Sequence, residues 1–292
     1  MYRVVSPDAA NLGGGLSKAT WGRIVIISDK HRFAFIHIPK CAGSTVRTQL
    51  AGIDSYNGKF SEEGPHEHLG YTSWRHFPLQ TLRDHFPEEF RKVMEYDSVA
   101  VVREPHERFA SAIIQHIRDL KIPQSQISVR QAVAETAGII EQLKKKPQSL
   151  EAAYSPFLPQ ASFTSLNHKV LLKYLFLLDQ MAEFADFVRM KTGICFRAGG
   201  RENQSAIPRF AIVKEMQRIL RPVYLHLLPR SARYNLGKAA ISFGLYKKAT
   251  KEFSQELFEN HEIRNFVDDY YADDMILFQS LKSGTIASEI AA

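Results

Sequence analysis

The chain has 292 residues, 45% of them hydrophobic and 24% charged, and its 38 Lys and Arg against 31 Asp and Glu leave a formal charge of +7. That composition excludes a disordered chain and gives enough length for one large α/β domain or two small ones. The apolar run Val170–Leu178 is broken by Lys173 and falls far short of the roughly 20 residues that cross a bilayer, and the N-terminal segment lacks the apolar core of a secretory signal.

Cys41 and Cys195 form no C-x-x-C pattern and cannot build a disulfide framework, so a reducing cytoplasm is expected, with no structural metal. The basic balance calls for an anionic partner, and charge alone leaves nucleic acid, acidic lipid, a polyanionic glycan and a phosphorylated cofactor open.

Residues 1–22, which include Gly13-Gly14-Gly15, read as a flexible lead-in to a single domain spanning 23–292. Residues 24–27 and 33–38 are β-prone runs on either side of a polar linker, which predicts a hairpin. Pro39 ends the second run, and Lys40-Cys41-Ala42-Gly43-Ser44-Thr45 leads into a helix over 46–50 with Ser44 or Thr45 as its N-cap. Residues 52–78 read as loop, 79–96 as helix and 98–102 as a strand buried on both faces of a parallel sheet. Arg103-Glu104-Pro105 then opens a helix over 107–120, where Phe109, Ile113, Ile114 and Ile117 repeat at helical spacing. A third strand at 171–178 is followed by a helix at 181–190, and the apolar spacing of 249–281 predicts a packed helix pair. Three strand-then-helix units imply an α/β fold, an open and mostly parallel sheet flanked by helices, with a helical C-terminal part at about 207–285. In such sheets ligands sit at the carboxyl ends of strands, where both 39–45 and 103–108 fall.

A turn between a buried strand and a helix presents backbone N–H groups and the positive end of the helix dipole to an anion. Gly43 permits close backbone approach, Lys40 supplies a point charge, and Ser44 and Thr45 supply hydroxyls. The order Lys-x-x-Gly-Ser-Thr inverts the nucleoside triphosphate fingerprint and weakens a kinase reading. Cys41 and Arg47 have the C-x5-R spacing of cysteine phosphatases, but the glycine falls one position too early for that motif. In the second loop, Arg103, Arg108 and Ser111 follow the pattern R-x-P-x-x-R-x-x-S, which suits a second phosphate. The alternative there is local pairing of the two arginines with Glu104 and Glu107.

These two motifs, in this order and after two strands, resemble the carbohydrate sulfotransferase family that uses 3′-phosphoadenosine-5′-phosphosulfate (PAPS), including its heparan and uronyl 2-O-sulfotransferase branch and related bacterial members. The resemblance extends weakly through Leu158-Pro159-Gln160 and Tyr270-Tyr271-Ala272-Asp273-Asp274, covering about 24–280. It implies a P-loop-like sheet, PAPS as co-substrate, adenosine 3′,5′-bisphosphate as product, no metal, and a carbohydrate acceptor such as an anionic polysaccharide or glycolipid.

By the same resemblance Pro39, Lys40, Cys41, Ala42, Gly43, Ser44 and Thr45 hold the 5′-phosphosulfate. Arg103, Arg108 and Ser111 hold the 3′-phosphate, and Asn203 and Ser205 lie over the nucleotide. His66-Glu67-His68-Leu69-Gly70-Tyr71 matches the His-x-His-x-x-Tyr of the 2-O branch, which assigns His68 as general base and His66 as its support, with Glu62, Glu63 and Glu67 in reserve. His37 and His106 are read as structural or rim residues. Between 207 and 251 ten basic residues face Glu215 alone, a bias suited to a polyanionic acceptor or a peripheral membrane contact. The rival readings are a P-loop kinase, a cysteine phosphatase, or a non-catalytic polyanion- or membrane-binding protein on the same fold.

Overall fold

A strand with apolar side chains on both faces is stable only between two layers, and the runs at 25–28, 33–36 and 98–102 have that character. In the computed structural model, which describes residues 25–56, 63–73, 76–120, 129–197, 206–208 and 246–285, they are three neighbouring strands of one four-stranded sheet.

In chain order the elements are β1 (Val25–Ser28), β2 (Phe33–Ile36), α1 (Gly43–Leu50), β3 (Glu63–His66), β4 (Gly70–Ser73), α2 (Leu79–His85), α3 (Pro87–Glu95), β5 (Asp97–Val102) and α4 (Pro105–Asp119). They continue with α5 (Val129–Lys145), α6 (Ala161–Thr164), β6 (Ser165–Leu166), β7 (Lys169–Val170), β8 (Tyr174–Leu177), α7 (Met181–Thr192), β9 (Ala206–Pro208) and β10 (Tyr246–Lys248). Three C-terminal helices follow: α8 (Ala249–Leu257), α9 (His261–Tyr270) and α10 (Ala272–Lys282).

The central sheet has the order β1-β2-β5-β8, with β1 antiparallel to β2 and the other three strands parallel. Alternation along the strands sends Ile27, Ala34, Ile36, Ala100 and Val102 to one face, where Leu79, Leu82, Val93 and Leu277 cover them. The other face carries Ile26, Phe33, Phe35, Val99 and Val101 against Val46 and Leu50 of α1 and Phe184 and Val188 of α7. A further core joins α4 and α5 to the C-terminal helices through Phe109, Ile113, Ile140, Phe266 and Tyr271. The mixed α/β architecture with a mostly parallel sheet is therefore as expected.

Local expectations changed in four places. The predicted loop 52–78 contains the β3–β4 hairpin, which lacks apolar alternation and is supported from outside: buried Thr72 donates to the Leu150 carbonyl at 2.6 Å and bridges to Glu151. The helix expected over 79–96 breaks at Phe86, whose backbone (φ −138°, ψ 59°) leaves the α region that a following proline disfavours. The first-loop helix begins at Gly43 with Ala42 at its N-cap, not Ser44 or Thr45. The C-terminal pair is three helices, because Asn260 caps α9 and the chain turns again at Tyr271. The lead-in 1–22 and all but a few residues of the basic stretch lie outside the described residues.

Candidate active site

Strands β2 and β5 are parallel neighbours, so the loops that leave their carboxyl ends emerge side by side. In the first loop Lys40 and Ala42 adopt φ of 66° and 59°, the left-handed region that non-glycine residues rarely enter. Ala42 stands at the N-cap of α1 without a side-chain hydrogen bond, and the first turn carries no acidic residue. The Thr45 N–H donates back to the Ala42 carbonyl at 3.0 Å, and the turn itself brings neither a capping side chain nor a carboxylate to its N–H groups. Gly43 is required by close approach: a Cβ there would fall inside the imidazole of buried His37. Ser44 is exposed and Thr45 half-buried at the start of the helix.

Lys40 extends from this loop to α4, where its Nζ donates to Oε1 of Gln115 at 2.6 Å. Burial, with Arg118 and Arg103 nearby, pulls its ammonium down to about 8. Cys41 is buried, its thiol 3.2 Å from Gln160 Oε1, and burial pushes it up to about 12. A phosphatase needs that thiol as an exposed thiolate, so the C-x5-R spacing is incidental.

The second loop is joined to the first. Arg103 Nη1 donates to the Lys40 carbonyl at 3.5 Å and Nη2 pairs with Glu107 at 3.3 Å, while its buried Nε has no partner among the described residues. Glu104 does not pair with an arginine; it caps α4 by accepting from the backbone N–H of His106 and Glu107. Ser111 and Gln115 lie one turn apart on α4, both half-buried. Gln160, fully buried, fastens the loops together: its Oε1 accepts from the Arg103 N–H at 2.9 Å as well as from the Cys41 thiol, and its Nε2 donates to the Arg103 carbonyl at 2.8 Å.

Gln160 is held in turn by the C-terminal helices. Its backbone N–H and that of Ala161 donate to the two carboxylate oxygens of Asp274, each at 2.8 Å. Asp274 and Arg108 are both fully buried and face each other at 3.7 Å. The Arg108 guanidinium also donates to the Pro156 carbonyl and lies 4.9 Å from the Tyr271 ring centroid. Expected as a phosphate ligand, Arg108 has no solvent-facing surface; an interior carboxylate and an aromatic face take its charge inward. Gln160, Tyr271 and Asp274, where the motif resemblance is weak in sequence, are thus the supports of the two loops.

His66 and His68 sit on the β3–β4 hairpin together with His85 at the end of α2, with ring centroids 5.4 to 6.1 Å apart. The His68 N–H donates to His66 Nδ1 at 3.2 Å, and burial, His85 and His68 lower the His66 imidazole. Among the described residues no group of three or more His, Cys, Asp or Glu side chains is arranged to hold a metal ion. At the other end of α2, His76 meets His37 at 4.7 Å. His106 bridges Glu104 (2.9 Å) and Asp268 of α9 (2.8 Å), a structural link of α4. Asn203 and Ser205 lie outside the described residues.

The structure therefore brings Lys40, Gly43, Ser44, Thr45, Arg103 and Ser111 to one sheet edge, gathers His66 and His68 with His85, and withdraws Cys41 and Arg108 into the interior. Sequence reading missed Gln115, His76 and His85; a helical projection of α4 places Gln115 beside Ser111, but nothing local marks its partner.

No helix among the described residues is long and apolar enough to cross a membrane. Comparison with curated proteins and with solved structures found no match. The model of the sulfotransferase family matches residues 23–279, and the chain belongs to that family.

Proposed function

We propose that this member of the sulfotransferase family takes the sulfuryl group from PAPS and transfers it to a hydroxyl of a carbohydrate. The observation that carries the reading is the double cradle: two loops at the ends of adjacent parallel strands, tied by Gln160, with a start of α1 that its own N-cap side chain does not cap and with an Arg103 Nε that has no partner among the described residues. Two cationic groups at the carboxyl ends of adjacent strands suit a ligand that carries phosphate at both ends.

When bound, PAPS supplies an activated sulfuryl group on a phosphate leaving group. Ser44, Thr45 and the N–H groups of α1 bind the 5′ end, and Arg103 with Ser111 binds the 3′-phosphate. Lys40 neutralises the charge that develops on the leaving oxygen, where removing one preorganised donor typically costs about 10²–10³ in rate. His68 takes the acceptor proton, and His66, whose Nδ1 accepts from the backbone N–H of His68, steadies the hairpin that carries it. Asn203 and Ser205 complete the nucleotide contact, and the basic residues of 207–251 face an anionic polysaccharide or glycolipid acceptor, with peripheral membrane contact as a second use of the same charge. The enzyme acts in the cytoplasm.

Calorimetry with adenosine 3′,5′-bisphosphate tests the donor site: Lys40→Ala and Arg103→Ala should weaken binding, and no binding to the unmodified protein would remove the nucleotide reading. Radiolabelled PAPS against a glycan panel tests the acceptor class. His68→Ala should lower kcat by roughly 10²–10⁴ with bisphosphate affinity unchanged.

A further inference from the structure

We propose that Gln115 is the positioning residue of the Lys40 ammonium, holding it at the mouth of the first loop through its side-chain carbonyl. The proposal rests on the reading of Lys40 as the donor-contacting lysine. Lys40 leaves the chain from a left-handed backbone (φ 66°), so its Cα–Cβ direction is fixed by a conformation that the loop must maintain. Beyond that point its four-carbon stem is flexible, and a compact ammonium takes its position from whatever acceptor it meets. That acceptor is Gln115 Oε1, at the short distance of 2.6 Å, from a helix that also presents Ser111 one turn earlier.

The charges around Lys40 make the choice of a neutral acceptor informative. Burial disfavours the ammonium, Arg118 on α4 and Arg103 at the end of β5 repel it, and Asp119 acts weakly in the other direction. Glu107, in the first turn of α4, is taken by Arg103. A glutamate at 115 would pair with Lys40 permanently and compete with an incoming anion. An amide oxygen instead fixes the position and stabilises the charged form without cancelling it, and it is readily exchanged for an anionic oxygen. Gln115 thereby does for Lys40 what Gln160 does for the loop backbones.

The test uses Gln115→Leu and Gln115→Glu in the full chain; position 115 is half-buried on a helix and both residues are good helix formers. The Lys40 side chain is titrated by lysine ¹³Cε NMR, assigned with Lys40→Arg, and turnover is followed against pH. The Leu variant should lower the Lys40 midpoint and the Glu variant raise it, each by about half a unit or more, roughly a threefold change in the protonation equilibrium. The alkaline limb of kcat should move with it in the same two directions. A residue that only fills space would move neither. Midpoints that stay at the wild-type value in both variants overturn the proposal, even if PAPS turnover is normal. Midpoints that move in opposite directions in a protein that binds no bisphosphate uphold the Gln115–Lys40 coupling and remove the nucleotide reading instead.

Discussion

Replacing Asp274 tests whether the cradle is carried from the C-terminal helices. The carboxylate is fully buried, accepts two backbone N–H bonds at 2.8 Å and faces the equally buried Arg108 at 3.7 Å. Burial pushes the Asp274 carboxyl up, and Arg108 with the N–H groups of Ala161 and Gln160 pulls it back. Removing one member of a buried ion pair costs about 3–5 kcal/mol because the other charge stays uncompensated. Two N–H groups lose their acceptor with it, at about 1–3 kcal/mol for a donor left unpaired in the interior, so Asp274→Ala belongs at the upper end of the first range. That is a large fraction of the roughly 5–15 kcal/mol that holds a domain together.

The milder Asp274→Asn keeps one carbonyl acceptor and should lose about half as much. Urea unfolding followed by far-UV circular dichroism should place Asp274→Asn and Arg108→Met each well below wild type, with the double variant close to the worse single one, a coupling above about 2 kcal/mol. Bisphosphate affinity should fall in Asp274→Asn although no atom of residue 274 faces the ligand, since Gln160 loses its backbone anchor. Additive losses in the double variant, or an Asp274→Asn protein within about 0.5 kcal/mol of wild type, would refute the buried-pair account.

Gly43→Ala should weaken bisphosphate binding and cost about 1–3 kcal/mol, because its Cβ would invade the His37 ring; His37→Ala in the same chain should restore most of both, which calorimetry and urea unfolding would read. Cys41→Ser should leave turnover standing and change bisphosphate Kd by less than about tenfold, since a hydroxyl can still donate to Gln160; complete loss of turnover would revive the thiolate chemistry that the buried, raised thiol argues against. The His106 imidazole is raised by its hydrogen bond to Glu104 and by Asp268, against a smaller effect of burial. The stability it contributes is therefore fully present below its unfolded value of about 6.5 and is lost as pH rises through the higher folded value. The deficit of His106→Gln in urea unfolding should shrink over that window, and a deficit independent of pH would contradict the pairing.

Much of the fold could be read along the chain because its signals are local. The β-prone runs at 24–27 and 33–38 read as a hairpin and 98–102 as a strand buried on both faces, and Pro39 and Pro105 mark where the second and third give way to the site loops. Both loops of the candidate site were legible for the same reason: Gly43, Lys40 and Arg103 sit at strand-to-helix junctions. The β3–β4 hairpin was not legible, because it has no apolar alternation and depends on Leu150 and Glu151 far along the chain.

The sequence by itself determined the apolar strand runs and the positions of the two strand-to-helix loops, since each follows from residues within a few positions of one another. Only the tertiary structure decided which polar groups stay at the loops and which turn into the interior. Arg103 and Arg108 are five positions apart and chemically identical, yet Arg103 lies at the cradle and Arg108 points inward, because Asp274 arrives from the far end of the chain to meet it. The same distance in sequence hid Gln160 and Gln115: a single amide has no periodicity, and its role appears only when folding brings Cys41, Arg103 or Lys40 within hydrogen-bond reach.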